Sequence, residues 1–312
     1  MRSLSGKNRV QDPPVSVEAS TSGRQRQLLN LLAAVGGRIG NLDFQKLLFL
    51  YCQGTGVRAE YEFVPYKYGA FSFTSYADRR KLVERGVLAA DEQHWELTAE
   101  GRKLAARWRS LSAGEFAAQY GRLRGDALVA DTYRRFPYYA SRSEIAGRVL
   151  RGDDAALRRI EEARTKHGRP LSTIGYEGRS LERYLNRLLL AGVSVLCDVR
   201  RNPISRKYGF SKSTLRAACQ GVGLRYEHLP ELGIESERRQ DLNTQADYDA
   251  LFAEYRKTLP RAQAALASIE GWMAAGERVA LTCYEEAPQR CHRHCVAEAL
   301  EKRAGGLTAQ AL

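Results

Sequence analysis

Apolar positions recur at helical spacing through the first half of the chain and in short strand-like runs through the second, with the change of period near Leu171. Leu28, Leu29, Leu31 and Leu32 predict a helix over 24–35, which Gly36-Gly37 ends. Leu47, Leu48, Leu50 and Tyr51 predict a second helix over 44–53, capped by Asn41 or Asp43. A Tyr-rich stretch over 61–72 follows, then a third helix over 75–85. Two short strands, 87–88 and 95–97, are expected to turn at Asp91-Glu92, and Thr98 caps a helix over 99–108. Three helices followed by two strands is the order of a winged helix.

Beyond Leu171 strands and helices alternate. The pattern predicts strands over 171–175, 193–198, 224–229 and 278–283. Helices are expected over 181–191, 214–220 (capped by Ser211 or Ser213), 247–259, 262–275 and 291–302. Alternation of this kind implies an α/β fold: a mainly parallel sheet with flanking helices. The expected organisation is a disordered tail over 1–22, a winged-helix-like α+β module over 23–109, a helical connector over 110–170 and an α/β catalytic domain over 171–305. Tyr133–Tyr139 mixes cations with aromatics, which suits either stacking on a nucleic acid or cover for the domain junction.

The polar clusters all fall at one end of their strands. Tyr176, Glu177 and Arg179 follow the first; Asp198, Arg200, Arg201, Arg206, Lys207 and Tyr208 follow the second. His228 and Glu231 close the third, and Cys283, Tyr284, Glu285, Cys291, His292 and Arg293 follow the fourth. A parallel sheet gathers these ends into one cleft, where such folds bind ligands. Asp198 ends an apolar strand, so it is expected to be paired with an Arg or to act as a catalytic carboxylate. Glu285 and Glu177 are further candidate acids or bases, and Cys291 is a candidate nucleophile with His292 or His228 as its base. Tyr176 and Tyr208 offer stacking walls. Arg179, Arg200, Arg201, Lys207 and Arg293 offer phosphate contacts, with Cys283 and His292 completing the lining. The run from Cys291 to Cys295 invites a metal, but the C-x2–4-C knuckle is missing and adjacent Cys and His rarely share an ion, so no metal and no cofactor are expected.

The net charge of +13 over 312 residues favours a polyanionic partner, DNA in the simplest case. Six cysteines are too scattered for a disulfide framework. No apolar run of about 18 residues exists, so no membrane role and a cytoplasmic location are expected; oligomeric state is left open.

The segments Thr173-Ile-Gly-Tyr-Glu-Gly178, Asp198-Val-Arg-Arg-Asn-Pro203, Cys283-Tyr-Glu285 and Cys291-His-Arg293 resemble a bacterial family known only as domain of unknown function 488. The resemblance spans roughly 171–302 and implies a compact α/β fold in a nucleic-acid-processing context. His294 and Cys295 go beyond the core that carries it. Members fused to an N-terminal helical module are similar to the whole chain, and Tyr66–Phe73 resembles N-terminal modules of certain antitoxin-associated proteins. The expected function is a DNA-glycosylase-like hydrolase that excises modified bases, as in defence against foreign or phage DNA. Carboxylates, stacking walls and phosphate clamps are what base excision needs. A metal-dependent nuclease, with Asp198 and Glu285 holding magnesium, and a DNA-binding regulator with a ligand-sensing α/β domain stand as alternatives.

Overall fold

The computed structural model describes residues 21–54, 59–164, 167–239 and 242–312; nearly all of the expected N-terminal tail lies outside them. Its last two residues do not: Thr21 is buried and Ser22 caps the first helix. In chain order the N-terminal half holds α1 (Gly23–Ala34), β1 (Arg38–Gly40), α2 (Asn41–Gln53), β2 (Val64–Tyr66), β3 (Gly69–Phe71), α3 (Phe73–Glu84), β4 (His94–Glu96) and α4 (Ala99–Arg107). Five more helices follow: α5 (Leu111–Tyr120), α6 (Gly125–Arg135), α7 (Pro137–Ala140), α8 (Ala146–Val149) and α9 (Asp154–Glu162).

The expected strand pairing near Asp91 is corrected. Leu88 and Leu97 make only an isolated bridge, and β4 pairs antiparallel with β1, a three-residue strand too short to show a period. The Tyr-rich stretch is the β2–β3 hairpin. Helix α2 starts at Asn41 without a side-chain cap, because Asp43 accepts from the Gly125 amide instead. The 110–163 helices pack onto this half: Ala113 and Leu128 belong to the core built by α1 and α2. Tyr133 is buried against Ser143, while Phe136 and Tyr139 pack edge-on to Phe49, so these aromatics are cover rather than a stacking surface.

The C-terminal half holds β5 (Leu171–Gly175), α10 (Leu181–Leu190), β6 (Val195–Asp198), α11 (Lys212–Gly221), β7 (Arg225–His228), α12 (Gln245–Thr258), α13 (Gln263–Ala274), β8 (Val279–Cys283), α14 (Arg293–Ala304) and β9 (Gln310–Ala311). All four predicted strands form, and β9 is a fifth. They make one parallel sheet in the order β7-β6-β8-β5-β9. Side chains alternate across it. Ile174, Leu196 and Ala280 pack under α10 and α11, while Leu171, Val195, Cys197, Val279 and Leu281 pack against α12, α13 and α14. Burial on both faces is why these strands read as continuous apolar runs.

The halves are tied by α10. Glu182 is fully buried and accepts from the Thr74 amide (2.7 Å), Ser72 Oγ (3.1 Å) and Thr74 Oγ1 (3.0 Å). It thus caps α3 from the other half, a negative charge at the positive end of a helix. Asn186 donates to the Phe63 carbonyl, Arg183 pairs with Glu62, and Val64 enters the sheet's core. Among the described residues no helix is long and apolar enough to cross a membrane.

Candidate active site

Strand β8 lies between β6 and β5, so the loops leaving these three strands meet at one end of the sheet. They enclose a cleft of about 430 Å³ lined by Tyr176, Arg200–Asn202, Ile204–Lys207, Ile234, Arg239 and Cys283–Glu285. The convergence expected from the sequence is therefore present. Several of the expected residues nevertheless sit elsewhere.

Asp198 has no solvent exposure. Its Oδ1 accepts from the Arg200 amide (3.1 Å) and Nε (2.8 Å), and its Oδ2 from Arg200 Nη2 and the Tyr226 hydroxyl (2.6 Å). A carboxylate so enclosed has no oxygen left for water or magnesium, so it positions Arg200 rather than acting on a substrate. Arg200 is equally committed: Nη1 donates to the Tyr176 hydroxyl and the Phe210 carbonyl, both at 2.9 Å. Only an edge of it faces the cleft. Tyr176 stacks on Phe210 with centroids 4.3 Å apart, so its ring forms a fixed wall.

Other expected contacts are structural. Tyr208 turns toward the N-terminal half, where its hydroxyl donates to the Phe73 carbonyl and Arg80 lies over its ring. Arg179 donates to the Gly175 and Leu312 carbonyls, bracing β5 against β9. Arg293 is buried and holds the carbonyls of Glu285 and Glu286, which fixes the loop after β8. Glu177 accepts from the Glu286 amide and does not line the cleft. His228 spends Nε2 on the Arg200 carbonyl and meets Lys212 through Nδ1, outside the lining. Arg201 and Arg206 are exposed on the rim, and Lys207 donates to the Tyr176 carbonyl (2.9 Å).

Glu285 alone of the candidate carboxylates opens into the cleft. It pairs with Arg239, which sequence reading missed because the 229–244 segment carries no period or motif. Burial, and then the negative charge of Cys283, push the Glu285 carboxyl upward. Beneath it Sγ of Cys283, Sγ of Cys291 and a ring nitrogen of His292 lie within 4.8 Å of one another. Cys283 Sγ is 3.8 Å from His292 Nδ1 and 3.5 Å from Glu285 Oε2. The hydrogen bond from Cys291 draws Cys283 well below the ordinary thiol range, whereas burial pushes Cys291 well above it. Burial opposes charging His292, yet the neighbouring Cys283 raises it.

The expected helix over 291–302 is corrected at its start. The last helix starts at Arg293, not Cys291. Cys291 is extended (φ −135°, ψ 131°) and His292 helical (φ −59°, ψ −17°), and this turn sends adjacent side chains to one point. Cys295 takes no part; its Sγ lies 3.4 Å from His294 Nε2.

No curated protein and no solved structure matches the chain. Residues 180–300 match the family described as Domain of unknown function DUF488. The matched span runs from the cap of α10 to within α14 and includes Asp198, Arg200, Cys283, Glu285, Cys291 and His292. By that match the C-terminal half of this chain is a domain of the DUF488 family.

Proposed function

We propose that the C-terminal half is a hydrolase acting on the N-glycosidic bonds of DNA bases, with Glu285 as its reacting carboxylate. One observation carries this: among the described residues lining the cleft, Glu285 is the single carboxylate, facing a rim of Arg201, Arg206, Lys207 and Arg239. Polyanion backbones bind to such a rim. A base turned out of the stack would lie along Tyr176 and Tyr284, and Glu285 would orient water at the sugar carbon, where positive charge develops. The carboxylate role passes from Asp198 to Glu285, and with Asp198 enclosed the magnesium-nuclease alternative loses one of its two ligands.

The winged-helix-like reading of the N-terminal half supports DNA association only away from α3. In helix-turn-helix proteins the N-terminal end of the recognition helix meets the bases. Here Glu182 covers that end of α3. We place the substrate at the cleft, in modified or foreign DNA, and the reaction in the cytoplasm.

The test incubates the protein with unmodified and base-modified duplexes without magnesium, followed by alkali. Breaks that need alkali and vanish in Glu285→Gln support base excision. Direct breaks indicate a nuclease. A base converted in place indicates a deaminase. Retention on DNA with no product on any substrate returns the regulator.

A further inference from the structure

We propose that Cys283, Cys291 and His292 form a zinc site at the floor of the cleft, with the fourth coordination position turned toward Glu285. The three donors come from two elements. Cys283 ends β8, and Cys291 and His292 sit in the turn that leads into α14. Tetrahedral zinc, with Zn–S about 2.3 Å and Zn–N about 2.0 Å, sets ligand atoms roughly 3.5–3.8 Å apart. The 3.8 Å between Cys283 Sγ and His292 Nδ1 already has that value, and the trio lies within 4.8 Å. The side chains need only a small inward adjustment.

A second observation comes from outside the trio. His292 Nε2 donates to the Val199 carbonyl at 2.9 Å. That bond fixes the tautomer and aims the Nδ1 lone pair at the two sulfurs, which is how metal-bound imidazoles are held. Charge is the third. The trio is buried, and two thiolates around a divalent ion sum to zero, so the loaded site holds no net charge for burial to oppose. Thiolate and imidazole donors choose zinc over magnesium or calcium.

Three protein ligands and an open position are the make-up of a catalytic rather than a structural zinc site. Glu285 Oε2 is 3.5 Å from Cys283 Sγ but outside the convergent trio, and both residues line the cleft. A zinc-bound water at the open position would pass one proton to the Glu285 carboxylate and leave a bound hydroxide facing the substrate. This last step rests on the hydrolase reading; the metal site does not.

The experiment is metal analysis of the full chain purified without chelators, with cobalt exchanged for zinc. The expected result is one zinc per chain. Cobalt should give the visible bands of tetrahedral coordination and a near-ultraviolet thiolate charge-transfer band. Cys291→Ser and His292→Gln should lose the stoichiometric metal, while Cys295→Ser and Cys219→Ser, at buried cysteines outside the trio, keep it. Folded wild-type protein that carries no zinc and takes none up from an equimolar supply overturns the proposal. So does a Cys283–Cys291 disulfide in protein purified under reducing conditions, or undiminished zinc in Cys291→Ser. Zinc present with no product on any DNA upholds the site and fails the hydrolase reading, so the two are separable.

Discussion

Asp198 and Lys46 show what burial does to a charged side chain with and without a partner. Asp198 is held by four donors and its charge is matched by Arg200. Asp198→Ala strands that guanidinium, so stability should fall by about 3–5 kcal/mol, seen as a lower denaturation midpoint. Lys46 is 1% exposed and donates to the Ala70 carbonyl, 2.9 Å away, with no carboxylate paired to it among the described residues. Burial lowers its ammonium to about 7. Between that value and the unfolded value of 10.5 the unfolded chain binds more protons, so this residue's contribution makes stability rise with pH across that window and fall toward pH 7. Lys46→Met should remove that slope and gain on the order of 1–3 kcal/mol at neutral pH. Equal pH dependence in the variant and the parent, measured below about pH 9.5 where tyrosines begin to titrate, would refute it.

At the scale of elements, the cleft is held by close approach of backbones rather than by many side-chain contacts. Gly175 ends β5, and a Cβ there would collide with the Glu285 carbonyl oxygen. Gly175→Ala must push the loop after β8 outward. We expect a loss of about 1–3 kcal/mol and displacement of Glu285, read as a shift of the 284–286 amide signals. The rim loop after β6 behaves differently, because Arg201 and Arg206 are exposed and carry no buried role. Arg201→Ala and Arg206→Ala should each weaken binding to every DNA sequence alike and lower the log–log salt slope by about 1. Arg200→Ala should instead unfold the protein more readily, since its donors hold Asp198, Tyr176 and Phe210.

For the whole molecule, the tie between the halves rests on a carboxylate that serves as a helix cap at a distance of 108 residues. Glu182→Ala leaves the Thr74 amide and two hydroxyls without their acceptor and should cost about 1–3 kcal/mol. Glu182→Gln keeps an acceptor oxygen and should cost less. The 110–163 helices pack onto the N-terminal half, so trypsin is expected to cut first at Arg164–Arg169, and faster in Glu182→Ala. Early cleavage within 111–162 would contradict this division of the chain.

The α/β architecture of the C-terminal half is legible in the chain, because two-sided burial writes itself as apolar runs at Leu171–Gly175, Val195–Asp198 and Val279–Cys283. The sequence also located the cleft, since chain direction alone places Tyr176, Arg200 and Glu285 at one end of a parallel sheet. In the N-terminal half α1 and α2 were legible from their leucine spacing. Strand β1 was not, because three residues carry no period, and β9 has only two. Tertiary structure alone decided roles. Asp198 and Glu285 look alike in sequence, and what separates them is that Arg200 and Tyr226 enclose one while the cleft opens on the other. Arg239 and Glu182 find their partners across chain separations that no local pattern records. The turn before Arg293 brings Cys291 and His292 to Cys283 because φ and ψ, rather than spacing along the chain, set where adjacent side chains point.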